Sequence, residues 1–80
     1  MPPRLPQVSG YDVVKLLEQL GYEVVRQRGS HIRLRRITPD GEHHITVPDH
    51  RTMAKGTLSD ILTAVSRATG EPKKKLIEML

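Results

Sequence analysis

Early in the chain, apolar residues recur three and four apart: Val13, Val14, Leu16, Leu17 and Leu20, with Lys15, Glu18 and Gln19 between them. That spacing gathers the apolar side chains on one helical face and turns the others to water. Ser9 suits an N-cap, and Asp12 falls in the first turn, where a carboxylate meets the positive end of the helix dipole. Gly21 supplies the stop. The pattern predicts a helix over about residues 10–20. Residues 1–8, with three prolines, read as a loose N-terminal arm.

Beyond Gly21 the period changes. Residues 22–28 start β-branched and aromatic and become basic, and Gly29-Ser30 breaks the run. His31-Ile32-Arg33-Leu34-Arg35 then alternates, which sends Ile32 and Leu34 inward and puts His31, Arg33 and Arg35 together on the other face. Thr38-Pro39-Asp40-Gly41 is a turn signal, and a third strand follows over 43–48 with Ile45 and Val47 inward. Three short strands joined by tight turns favour an antiparallel meander.

Asp49–Gly56 reads as a polar loop, and Thr57 as the cap of a second helix whose Leu58, Ile61, Leu62 and Val65 form a buried stripe. Gly70 ends that helix. Pro72 opens a short third one, with Leu76, Ile77 and Leu80 apolar and Lys73, Lys74 and Lys75 facing solvent. The expected fold is α+β: an α-β-β-β-α two-layer sandwich, with both main helices on one face of a three-stranded antiparallel sheet and a C-terminal helical extension over 71–80. One domain of 80 residues is expected, with no repeat and no linker.

Composition narrows the chemistry. The chain has no cysteine, so disulfides, thiol catalysis and cysteine-based zinc sites are excluded. Its aromatic residues are Tyr11 and Tyr22 alone, which argues against a binder that stacks successive bases on several large rings. No uncharged run exceeds the seven residues from Leu5 to Tyr11, far short of the ~20 apolar residues of a membrane-spanning helix. Met1-Pro2-Pro3-Arg4 has no apolar signal core, so a cytoplasmic location without membrane contact is the expectation.

Thirteen Lys and Arg against nine Asp and Glu give a net charge of +4. Arg26, Arg28, Arg33, Arg35 and Arg36 lie in an eleven-residue window that holds no acid, so this window is more basic than the whole chain. Brought together on neighbouring strands, such guanidinium groups bind phosphate; scattered, they are a solvated strand surface.

Inside that window stands His31, directly after Gly29-Ser30. An imidazole exchanges protons near neutral pH and can take one from a hydroxyl. In RNA the 2′-hydroxyl beside the phosphodiester is an internal nucleophile, so one base and cationic stabilisation suffice to cut the strand. An ordinary surface histidine fits the same position. His43 and His44, adjacent on a strand, point to opposite faces and cannot chelate one metal together, so no metal site and no cofactor are expected. His50, in the polar loop, is either a second acid–base group or a loop residue. Lys55-Gly56-Thr57 offers a helix N-terminus and a cation for phosphate without the rest of a P-loop. The second helix carries Ser59, Asp60, Thr63 and Ser66 with only Arg67 for charge, which speaks against a DNA-recognition helix.

Three motifs in register carry a resemblance: Arg28-Gly29-Ser30-His31, Ile45-Thr46-Val47-Pro48-Asp49-His50, and Lys55-Gly56-Thr57-Leu58 with Ile61-Leu62, following a helix that ends Leu20-Gly21-Tyr22. In this order they resemble the HicA (YcfA-like) toxins of bacterial toxin–antitoxin pairs, over about residues 10–70. The resemblance implies a double-stranded-RNA-binding-domain-like fold and an endoribonuclease that cleaves mRNA and is neutralised by a HicB antitoxin; the histidine chemistry above makes the expected cleavage metal-independent. It puts the catalytic histidine at His31. Arg28, Gly29, Ser30, Arg33, Arg35 and Lys55 are then the candidate RNA contacts, and His50 matches a frequent family position. The leading arm, Arg33 and the stretch Ala64–Pro72 depart from the common pattern. The alternative is a non-catalytic double-stranded-RNA-binding-like module on the same basic face.

Overall fold

The computed structural model describes residues 4–80, so the first three residues of the expected arm lie outside the described residues. The elements are α1 (Gly10–Gln19), β1 (Glu23–Arg28), β2 (His31–Thr38), β3 (Gly41–Pro48), α2 (Lys55–Thr69) and α3 (Lys73–Met79). The strands form one antiparallel sheet in the order β1-β2-β3. This is an α+β fold with an open three-stranded sheet. α1 and α2 both pack on β3, and α3 packs on α2. Ile32, Leu34, Ile45 and Val47 meet Val13, Leu17, Leu58, Leu62 and Val65 in a single core, leaving the other sheet face to solvent.

α1 begins as its sequence dictates. Ser9 Oγ accepts from the Asp12 backbone N–H at 3.1 Å, and the Ser9 N–H donates to Asp12 Oδ2 at 3.0 Å, a reciprocal capping box. The backbone bond from Ser9, then the Ser9 hydroxyl, holds the Asp12 carboxyl below its ordinary range. Gly10 has a second role that periodicity does not reveal. A Cβ on it would lie 2.1 Å from the Pro48 carbonyl oxygen, and its N–H donates to the His50 carbonyl at 2.9 Å. The first turn of α1 therefore rests directly on the backbone at the end of β3.

Several boundaries move. β2 runs on to Thr38 and β3 starts at Gly41, because the turn is only Pro39-Asp40 and the ladder continues to its edge. The expected polar loop hides Met53, which is 3% exposed and whose N–H donates to the Val8 carbonyl at 2.7 Å. Leu5 and Val8 pack against the core, so residues 4–8 lack regular structure without being loose. With Met53 anchored, α2 starts earlier than expected: Ala54 is its N-cap, without a side-chain cap bond, and Lys55-Gly56-Thr57 forms its first turn. Thr57 is not the cap.

Lys73 does not face solvent either. Its ammonium donates to Ser59 Oγ at 2.7 Å and Thr63 Oγ1 at 2.9 Å, tying α3 to α2, while Leu76 is fully buried. At the far end of the sheet, buried Tyr22 shares a 2.7 Å hydrogen bond with His43 Nδ1. Burial, and then the charges of His44 and Arg36, hold the His43 imidazole below its ordinary value; burial pushes the Tyr22 phenol up. Among the described residues no helix is long and apolar enough to cross a membrane.

Candidate functional site

The uncovered sheet face is built of cross-strand rows. Arg28 of β1 pairs with His31 of β2, which pairs with Pro48 of β3. The next row along is Arg26, Arg33 and Thr46, and the one after it Glu23, Arg35 and His44. Adjacent rows on one face are close enough for side chains to touch. The first two rows enclose an open hollow of about 300 Å³ lined by Arg26, Arg28, His31, Arg33 and Thr46. Arg33 Nη1 donates weakly to Thr46 Oγ1 at 3.5 Å.

The turn that presents His31 is fixed by its own backbone conformation and by two hydrogen bonds. Gly29 has φ +53° and, among the described residues, no non-glycine residue has a positive φ, the sign pattern of a II′ hairpin turn with glycine first. A Cβ on Gly29 would meet nothing within 4 Å, so the backbone conformation and not space asks for glycine here. Gln27 Nε2 donates to the Gly29 carbonyl at 3.1 Å, and the Asp49 N–H donates to the Ser30 carbonyl at 2.5 Å. Through Asp49 and Pro48 the turn is joined to the α1 terminus at Gly10. His31 thus stands at the start of β2, exposed, on a braced corner of the molecule.

The five arginines separate into three groups. Arg26, Arg28 and Arg33 share the hollow with His31. Arg35 is on the same face but is claimed by acids: its guanidinium meets Glu23 at 2.5 Å and Glu42 at 3.5 Å, which raises its pKa further, through the Glu23 hydrogen bond first. Arg36 belongs to the other face, beside Gly21 and opposite His43. A crowd of five guanidinium groups is therefore not what the sheet makes. The acids that take Arg35 lie just outside the acid-free window, across the strands, where a linear reading does not look.

The remaining candidates, Lys55 and His50, do not line the hollow. Lys55 is exposed in the first turn of α2. His50 is exposed in the loop after β3, where its carbonyl receives the Gly10 N–H. Arg26 and Thr46, not singled out as contacts from the sequence, enter the hollow because a bulge between Val24 and Arg26 sets β1 against β2 so that Arg26 faces Arg33. No group of three or more His, Asp or Glu gathers as a metal site among the described residues.

The geometry defines a small α+β domain that keeps one sheet face open and gathers an imidazole and three arginines in one hollow there. Compared with known families, residues 10–65 match the model of the HicA toxin of bacterial toxin–antitoxin systems. The chain belongs to the HicA toxin family, and is thereby a toxin that pairs with an antitoxin. No curated protein and no solved structure matches it.

Proposed function

We propose that this toxin is an endoribonuclease that cuts mRNA in the cytoplasm, with His31 as general base. His31 removes the proton of a 2′-hydroxyl, and the 2′ oxygen attacks the adjacent phosphorus. The bond to the 5′ oxygen breaks, and that oxygen takes a proton from water. Arg26, Arg28 and Arg33 hold the phosphate and offset the charge that builds on its oxygens. Thr46 offers one more donor. Arg35 serves as a structural cation, Lys55 contacts flanking phosphate outside the chemical step, and His50 has no part in that step. The antitoxin is a HicB-like protein, and inhibition follows when it covers the open face.

The observation that supports this reading is the placement of His31 in the arginine hollow. The chemistry uses the substrate's own nucleophile, so an open hollow on an 80-residue domain is enough. Analysis of product ends tests it. Cleavage should leave a 2′,3′-cyclic phosphate and a 5′-hydroxyl, persist in EDTA, and spare a strand of deoxynucleotides. Products ending in 5′-phosphate, or equal cleavage of DNA, would refute the assignment. RNA bound tightly and never cut would favour the non-catalytic module.

A further inference from the structure

A second hollow adjoins the first on the same face, lined by Val25, Arg26, Arg33 and His44 and about 460 Å³ in volume. Arg26 and Arg33 form the wall between the two. Val25 is there because of the bulge: with Val24 paired to Leu34 and Arg26 to Arg33, Val25 is the extra residue, turned outward and 43% exposed. An exposed valine between guanidinium groups contributes nothing to the core and costs solvation. His44 closes the opposite side, its Nε2 held by Glu42 Oε2 at 3.0 Å, and Glu42 in turn meets Arg35.

His44 does not serve the phosphate that His31 attacks. It pairs with Arg35, four residues along β2 from His31, which puts the two backbones about 13 Å apart at ~3.3 Å per residue. The two imidazoles line different hollows, His31 the first and His44 the second, so each faces its own part of a strand laid across the sheet. The second hollow does have what a base requires: an apolar floor, a planar ring and two guanidinium planes. Tyr22 is buried and Tyr11 lies on α1 under the Lys15 ammonium, so the rings available on this face are imidazoles. Beyond His44 the Glu23–Arg35–Glu42 network adds carboxylates that repel phosphate and close the track.

We propose that the Val25–Arg26–Arg33–His44 hollow is a subsite that stacks the base of a nucleotide flanking the cut, so that single-stranded RNA lies across the face from His31 to His44. The inference rests on the ribonuclease reading for the identity of the strand. Arg26 and Arg33 each contact the phosphate between the two nucleotides, and His44 with Val25 takes the base.

Binding of uniformly 2′-O-methylated oligoribonucleotides, which the 2′-hydroxyl mechanism cannot cut, tests this independently of catalysis. Fluorescence anisotropy with a 2′-O-methyl mononucleoside 3′-phosphate and a tetranucleotide reads the two hollows separately. His44→Ala should weaken the tetranucleotide roughly five- to tenfold and leave the mononucleotide unchanged. His44→Phe, which keeps a ring, should restore the tetranucleotide. A tetranucleotide with abasic sugars, carrying the same phosphates, should bind the native protein as weakly as the normal one binds His44→Ala. Equal losses for both lengths, no loss for either, or full binding of the abasic strand would overturn the proposal. Failure of the native protein to cut ordinary RNA would refute the proposed catalysis and leave the binding result standing.

Discussion

Gly10→Ala sets two effects of opposite sign against each other. Alanine is a better helix former than glycine by up to about 1 kcal/mol, and Gly10 opens α1 with no positive φ, so propensity alone predicts a gain. Against it stands the Cβ that would lie 2.1 Å from the Pro48 carbonyl oxygen and 3.0 Å from the Asp49 Cα. Both are backbone atoms, so no side chain can swing aside and α1 must move off the end of β3. Overpacking of this kind costs about 1–3 kcal/mol. Stretching the 2.9 Å bond from the Gly10 N–H to the His50 carbonyl costs about 1 kcal/mol more. The net is a loss of roughly 1–3 kcal/mol, from a domain whose 80 residues imply a total stability of about 4–12 kcal/mol. At about 4–8 °C per kcal/mol, the midpoint of a circular dichroism melt should fall by roughly 5–20 °C. Because Pro48 pairs with His31, RNA cleavage should fall further than the folded fraction predicts. A Gly10→Ala protein melting at or above the native temperature would show that propensity wins and that the α1–β3 contact is not tight.

Leu76→Ala removes a fully buried side chain of α3, beyond the 10–65 stretch of the family match, and should cost about 2–5 kcal/mol in urea unfolding. A loss under 1 kcal/mol would make α3 an appendage and not part of the core. The His43 imidazole is held below its ordinary 6.5, so the unfolded chain binds its proton more readily. His43 therefore adds stability that is present above pH 6.5 and lost as pH falls through the lower folded value. His43→Gln, which keeps a partner for the Tyr22 hydroxyl, should flatten that slope in denaturant titrations; an unchanged slope would assign the pH dependence to other groups.

Much of the fold is legible in the sequence where one signal dominates. Ser9 with Asp12 marks the start of α1, the alternation from His31 to Arg35 gives the sheet its two faces, and Gly70, in the left-handed conformation at φ +78°, ends α2. Errors cluster where a tertiary contact overrides a local one. Met53 looks like part of a polar loop until its backbone bond to Val8 is seen, and it draws the start of α2 forward to Lys55. Lys73 in a run of three lysines looks solvated, yet the hydroxyls of Ser59 and Thr63 are one helix away. The exposed position of His31 at the start of β2 is legible from the glycine turn and the alternation after it, whereas its candidacy as a base comes from the resemblance to HicA toxins. The division of the arginines is not legible, since it depends on a one-residue bulge and on acids brought across from Glu23 and Glu42.

In the proposed reaction His31 performs the chemistry and the surrounding arginines hold the substrate. The direct measurement is cleavage and binding of one RNA by the native protein and by His31→Ala, with folding checked by circular dichroism. His31 is exposed and makes no side-chain contact that the core depends on, so the variant should fold and melt like the native protein. It should bind an uncleavable RNA with near-native affinity and lose cleavage by at least about 10²-fold, the lower end of what a general base contributes. A folded His31→Ala protein that still cuts RNA at the native rate would rule His31 out as the general base.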